Sequence, residues 1–194
     1  LTILKDEVTI VSNAFFNHPD INEIKPKYYL LVDPSHWTDK SELMGERFGG
    51  MKGFENITKF ILPVESYNFL NQDSFYKPFD ISYINYNPFY SLQDEIDFSV
   101  SIPNIAQTVT TVSMMLAFYL GCNPIYLIGC EANWKIEKRG NIDHFYENKG
   151  WDAKSTATEE LVTSCIKIIF HQYTVLHRYA KIHNKQIFNA TAGG

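Results

Sequence analysis

Apolar and polar positions along this chain fall into two periodicities. Short β-rich runs at Val8 to Ser12, Tyr28 to Val32, Ile57 to Leu62 and Ile81 to Ile84 are bounded by Asn13, Asp33-Pro34, Pro63 and Asn85, and each predicts a strand. Ile125 to Ile128 is a further run, uniformly apolar as a strand covered on both faces requires, and Ile187-Phe188 is a short last one. Two segments follow the helical period instead. Gln107 to Leu120 places Val109, Val112, Leu116, Ala117 and Leu120 on one stripe. It stops at Gly121, a residue that accepts the left-handed backbone of a helix cap, and Asn123-Pro124 turns the chain into the next strand. Thr156 to His183 carries Leu161, Cys165, Ile168, Ile169, Tyr173, Leu176 and Tyr179 on an apolar face. Ser155 or Thr156 serves as its cap, with Glu159 near the start and Arg178 and Lys181 near the end, the charge order the helix dipole favours.

Strands separated by helices or long loops cannot pair through tight hairpins, so a mostly parallel sheet is expected. The predicted fold class is α/β, a Rossmann-like three-layer sandwich. Glu65 to Pro103, rich in Tyr, Phe, Asn and Pro without clear period, reads as an irregular segment or a lid. At 194 residues with no linker-like stretch, a single domain over residues 1–194 is expected.

Composition narrows the function classes. A formal charge of -5 disfavours non-specific nucleic-acid binding, which needs a basic face. The three cysteines, Cys122, Cys130 and Cys165, are odd in number and widely spaced, which fits neither a disulfide framework nor a zinc pattern and points to a reducing, cytoplasmic setting. No apolar run reaches the length of a transmembrane helix. The 12 Tyr and 14 Phe fill a core and also suit a cleft for flat or sugar-like ligands.

If the sheet is parallel, Asn13, Asp33 and the Gly129-Cys130-Glu131 loop lie at carboxyl ends of strands and share one edge, where open α/β sheets bind ligands. The Asn13 amide both donates and accepts, which suits a base or ribose edge, while Glu131 can accept from two hydroxyls. Gly129 and Cys130 let the backbone open toward a ligand. Thr108, Thr110 and Thr111 sit at the first turn of a helix, where hydroxyls and free N–H groups can receive a phosphate; plain capping is the alternative. His144, with Tyr146 beside it and Asp143 and Glu147 to orient it, is the candidate general base or acid, and a solvated loop histidine is the alternative. Lys135, Lys138 and Arg139 could offset ligand phosphate charge, and a solvated basic loop is the alternative. His171, His177 and His183, six residues apart, do not share a helix face and read as structural or solvated. The glycines of GERFGGMKGF lack the Lys-Ser/Thr ending and preceding strand of a phosphate loop and read as a surface loop. No carboxylate cluster reads as a Mg²⁺ site, so no metal is implied, although Asp33, Glu131 and Asp143 could combine in space.

The segment TVTTVSMMLAFYLGCNPIYLIGCEANW, together with VTIVSNAFF and YYLLVDPSHW, resembles two related groups. One is the single-domain bacterial sialyltransferases that use CMP-sialic acid. The other is the 6-hydroxymethylpterin diphosphokinase-like domain family, which includes the motility-associated-factor glycosyltransferases. The resemblance implies that Asn13 is the amide that contacts the cytidine nucleotide. Asp33 stands where the family has a second Asn. Thr108 falls on the hydroxyl residue opening the helix near the nucleotide, followed by Val109-Thr110 where the family has Ser-Gly, and Gly129-Cys130-Glu131 matches a Gly-x-Asp loop with Glu in place of Asp. The family's opening strand and GNGPS loop have no counterpart, since this chain starts at Leu1-Thr2-Ile3, so a fragment lacking them is expected. The family's base, a His shortly before the last long helix, is replaced by Lys154-Ser155, leaving His144 as the nearest candidate.

What the resemblance implies about activity is transfer of a sugar, of the nonulosonic type such as sialic acid, from a CMP-type donor to a cell-surface glycan such as lipopolysaccharide. No cofactor is required beyond the donor. The alternatives are pterin-type pyrophosphate transfer, which would require ATP and Mg²⁺, and a noncatalytic nucleotide- or glycan-binding module. Peripheral association with the inner face of the membrane and homo-oligomer formation stay open.

Overall fold

The four β-rich runs of the first half form one sheet. Strands β1 (Ile10–Ser12), β2 (Tyr28–Leu30), β3 (Lys59–Pro63) and β4 (Asp80–Ile84) are parallel and lie side by side in chain order. The computed structural model describes residues 2–37, 49–72, 74–87, 97–99, 102–103, 108–130 and 159–191. The chain divides into two compact units, Leu1–Asn87 and Pro88–Gly194, each of which is an arrangement of helices and strands. Their strands pair in parallel within each unit, as an α/β chain requires.

In the first unit, register places Val11, Tyr29, Phe60 and Ile81 side by side across the sheet. Because side chains alternate along a strand, Leu31, Leu62 and Tyr83 follow on the same face. Around them gather Trp37, Met51, Leu70, Tyr76 and Phe79 as one apolar core. Leu30 and Ile61 point the other way and are also buried, so both faces of the central strands are covered, the usual state of parallel sheets. Buried hydroxyls are satisfied by backbone carbonyls: Thr58 donates to Pro26 O at 2.6 Å across the chain and Ser66 to Pro63 O at 2.7 Å within its turn. The connections carry short pieces that periodicity does not reveal, including helices α1 (Ile21–Ile24) and α2 (Tyr67–Leu70). α2 falls within the stretch expected to be irregular. A two-residue strand, β5 (Tyr86–Asn87), ends the first unit, and another, β6 (Ile102–Pro103), belongs to the second.

The second unit contains helix α3 (Val109–Tyr119), strand β7 (Ile125–Leu127), helix α4 (Glu159–Ile182) and strand β8 (Ile187–Asn189), with β7 and β8 parallel. α3 ends at Gly121 as expected. The glycine has φ +81, its N–H donates to Phe118 O at 3.0 Å, and the Cys122 N–H reaches back to Ala117 O at 2.9 Å, the paired bonds of a Schellman cap. Its burial differs from the expected stripe. Thr111, Val112, Met114, Met115, Leu116, Ala117 and Phe118 are all buried, because a helix apolar nearly all round is enclosed rather than laid on a surface. α4 is amphipathic, but its buried line runs through Ile169, Gln172, Leu176 and Ala180, which leaves Ile168 exposed. β7 also departs from expectation: Ile125 is buried while Tyr126 and Ile128 are exposed, and Tyr126 stacks on its register partner Phe188 with ring centroids 5.2 Å apart. His171 and His177 are exposed along α4, and His183 is exposed just past its end. Among the described residues, no helix is long and apolar enough to cross a membrane.

Candidate functional site

Two clusters of polar groups form at carboxyl ends of strands, one in each unit. In the second unit the chain runs down α3, turns at Gly121 and comes back along β7, so the start of the helix and the end of the strand lie at the same edge. Thr108 is the N-cap of α3: its backbone is extended, and its side-chain oxygen accepts from the Thr111 N–H at 3.3 Å. Thr111 is fully buried, donates to Thr108 O at 2.8 Å and lies 3.4 Å from Oε1 of the buried Gln172 on α4. Its hydroxyl therefore holds the start of α3 to α4 and is not available to a phosphate, whereas Thr108 and Thr110 are half-buried.

Tyr173 follows Gln172 on α4, and its phenol is within hydrogen-bonding reach of the Thr110 and Thr108 hydroxyls. Burial raises its pKa above the ordinary 10.0, repulsion from a Cys130 thiolate raises it further, and the two threonine hydroxyls oppose the shift. Gly129 has φ +68, a left-handed backbone that turns the chain past the end of β7. Cys130 follows, its N–H donating to Thr191 Oγ1 at 3.0 Å just beyond β8, and the Ala190 N–H donates to Leu127 O at 2.8 Å. Thr108, Thr110, Tyr173, Cys130 and Thr191 are thus drawn together from two helices and two strand ends. Cys122, Cys130 and Cys165 form no disulfide, and all three are partly exposed.

The raised pKa of Tyr173 makes stability depend on alkaline pH. The neutral phenol is favoured by the fold, so this contribution is complete below the unfolded value of about 10 and is lost as pH rises through the higher folded value. Replacing Tyr173 by Phe should therefore flatten the fall in urea midpoint above about pH 10, without changing the midpoint's pH dependence near neutrality. An alkaline fall as steep as that of the parent protein would contradict the burial of this phenol.

In the first unit, Asn13 directly follows β1 and Asp33 lies three residues past β2. Asn13 is exposed with φ +54, a left-handed conformation that asparagine tolerates better than most residues. The buried Tyr29 hydroxyl donates to Asn13 O at 2.6 Å and accepts the Phe16 N–H at 3.0 Å. The Asn13 Oδ1 lies 3.3 Å from Nε2 of the buried His36 side chain in the turn Pro34–His36, and the His36 backbone N–H donates to Asp33 O at 2.9 Å. Asp33 itself is exposed.

Of the residues expected from sequence, Asn13 and Asp33 are placed together in the first unit, and Thr108, Thr110, Gly129 and Cys130 together in the second. Glu131, His144 and Tyr146 lie outside the described residues, as do Asp143, Glu147, Lys135, Lys138 and Arg139. Tyr173, Thr191 and His36 were not expected. Tyr173 was hidden in an apolar stripe, although the polar tip of a half-buried tyrosine calls for a partner. Among the described residues, no group of His, Cys, Asp and Glu has the makings of a metal site. Comparison of the chain with protein-family models, with curated proteins and with solved structures gives no match.

Proposed function

We propose that this chain is a glycosyltransferase that moves a sugar of the nonulosonic type, such as sialic acid, from a CMP-type donor to a cell-surface glycan. A Rossmann-like three-layer arrangement and a cytoplasmic location, peripheral to the inner face of the membrane, belong to the same reading. The observation that supports it is the gathering of Thr108, Thr110, Tyr173 and Cys130 where α3 begins and β7 ends. Helix starts carry unpaired N–H groups and a partial positive charge, and hydroxyls beside them add donors without adding charge.

Those groups suit the demands of transfer. As the bond from the sugar to the nucleotide breaks, negative charge grows on the departing phosphate, and fixed donors aimed at it stabilise that charge more than they stabilise the bound donor. Tyr173, held protonated well beyond neutral pH, would act as one such donor. The acceptor hydroxyl must lose a proton as it attacks, and His144 is the proposed base. Within the first unit, Asn13 and Asp33 are the proposed contacts to a nucleotide's base and ribose, and Glu131 is proposed to accept from hydroxyls. No metal enters the scheme.

Thermal unfolding with three additions tests the proposal. CMP alone should raise the midpoint, by about 2.7 kcal/mol of added stability at a hundredfold excess over Kd. A rise with ATP and Mg²⁺ but not with CMP would replace the transferase by pterin-type pyrophosphate transfer, and no response to either would leave a noncatalytic module.

A further inference from the structure

We infer that His36 is a positioning residue that decides which end of the Asn13 carboxamide a ligand meets, so that Asn13 acts as a hydrogen-bond donor to an acceptor edge of a nucleotide. The inference rests on the nucleotide reading above and adds to it a residue and a polarity.

Asn13 is held at two points. Its carbonyl accepts from the Tyr29 hydroxyl at 2.6 Å, which pins the left-handed backbone, and its Oδ1 sits 3.3 Å from His36 Nε2. Both anchors are buried, Tyr29 at 1% and His36 at 6% relative exposure, while Asn13 is exposed. A carboxamide oxygen carries no hydrogen, so the side-chain bond requires the proton to be on Nε2, with His36 donating. The amide nitrogen on the other branch then has two N–H groups and no hydrogen-bond partner among the described residues. The end offered outward is consequently a donor.

An unrestrained asparagine could turn its carboxamide over and serve donors and acceptors alike. Held by an imidazole, it selects groups that accept: the ring nitrogen and carbonyl oxygen of cytosine, or a ribose or phosphate oxygen. The restraint is in place before the ligand arrives, so binding does not have to freeze the side chain. His36 is set for this by its own chain position, since the turn Pro34–His36 comes shortly after the end of β2, the strand neighbouring β1.

Calorimetric titration of the full chain with CMP tests this. His36→Ala should weaken binding about tenfold. His36→Gln, whose amide nitrogen takes the place of Nε2, should recover most of the loss. Asn13→Asp keeps an oxygen for His36 but removes the outward N–H groups, and should weaken CMP at least tenfold while leaving the unfolding midpoint within a few degrees. In an Asn13→Ala background, His36→Ala should have no further effect, because there is no amide left to orient. Additive losses from the two alanine substitutions, parent-like affinity in His36→Ala, or parent-like affinity in Asn13→Asp would each overturn the assignment. If His36→Ala does not fold, His36→Gln and Asn13→Asp decide it. Absence of CMP binding by the parent chain would sink the nucleotide reading and this inference with it, an outcome distinct from the other three.

Discussion

Truncating Phe60 to alanine should cost the first unit about 3–5 kcal/mol, the range for removing a fully buried aromatic ring. Phe60 sits mid-sheet on β3 with 0% exposure, stacked on Tyr29 at 5.8 Å and edge-on to Phe79 at 5.1 Å. Its register neighbours on both sides, Tyr29 and Ile81, hang from strands fixed by backbone pairing, so they cannot move in to fill the gap. The loss therefore combines the transfer of the ring with a residual cavity, and the aromatic pairing goes with it. Urea unfolding reads the effect. Phe69→Ala, at a half-exposed side chain, should change stability by about 0.5 kcal/mol or less. A loss below about 1 kcal/mol for Phe60→Ala would show that the core around this ring is not packed as described.

CMP should slow alkylation of Cys130 by iodoacetamide at least tenfold. Cys130 lies past the end of β7, its N–H bound to Thr191 and its thiol close enough to Tyr173 to affect the phenol's ionisation. A phosphate seated on Thr108, Thr110 and Tyr173 would bring negative charge and bulk against that thiol, and both oppose formation and access of the thiolate. Cys122 and Cys165 are free and partly exposed, which makes them internal references in the same molecule. Peptide mass spectrometry at timed intervals resolves the three rates. Slowing at Cys130 alone locates the nucleotide; equal slowing at all three would indicate general stabilisation, and no slowing would remove this cluster from the proposed function.

Much of the architecture could be read from residue order. Six strands were expected, and each falls within about three residues of its expected start and end, because β-rich runs stopped by Asn, Asp-Pro or Pro leave little choice of boundary. The end of α3 was legible to within one residue, since Gly121 alone there takes a left-handed backbone without a steric penalty. Short helices such as α2 were not legible: one turn makes too few internal hydrogen bonds to leave a pattern and forms because neighbouring packing holds it.

The candidate sites were half legible. Asn13 and Thr108 stand at element ends, where local rules point to polar chemistry. His36 and Tyr173 do not; the first reads as one residue in a turn and the second as one apolar position among several.

Residue order by itself determined the α/β class, the parallel pairing and the placement of polar residues at strand ends, because periodicity and turn chemistry act over a few neighbours. Tertiary structure alone decided that Thr111 faces Gln172, that Tyr173 meets two threonines, and that His36 holds Asn13. Those contacts join residues 23 to 65 positions apart, and their partners are chosen by how the elements pack, which no local pattern encodes.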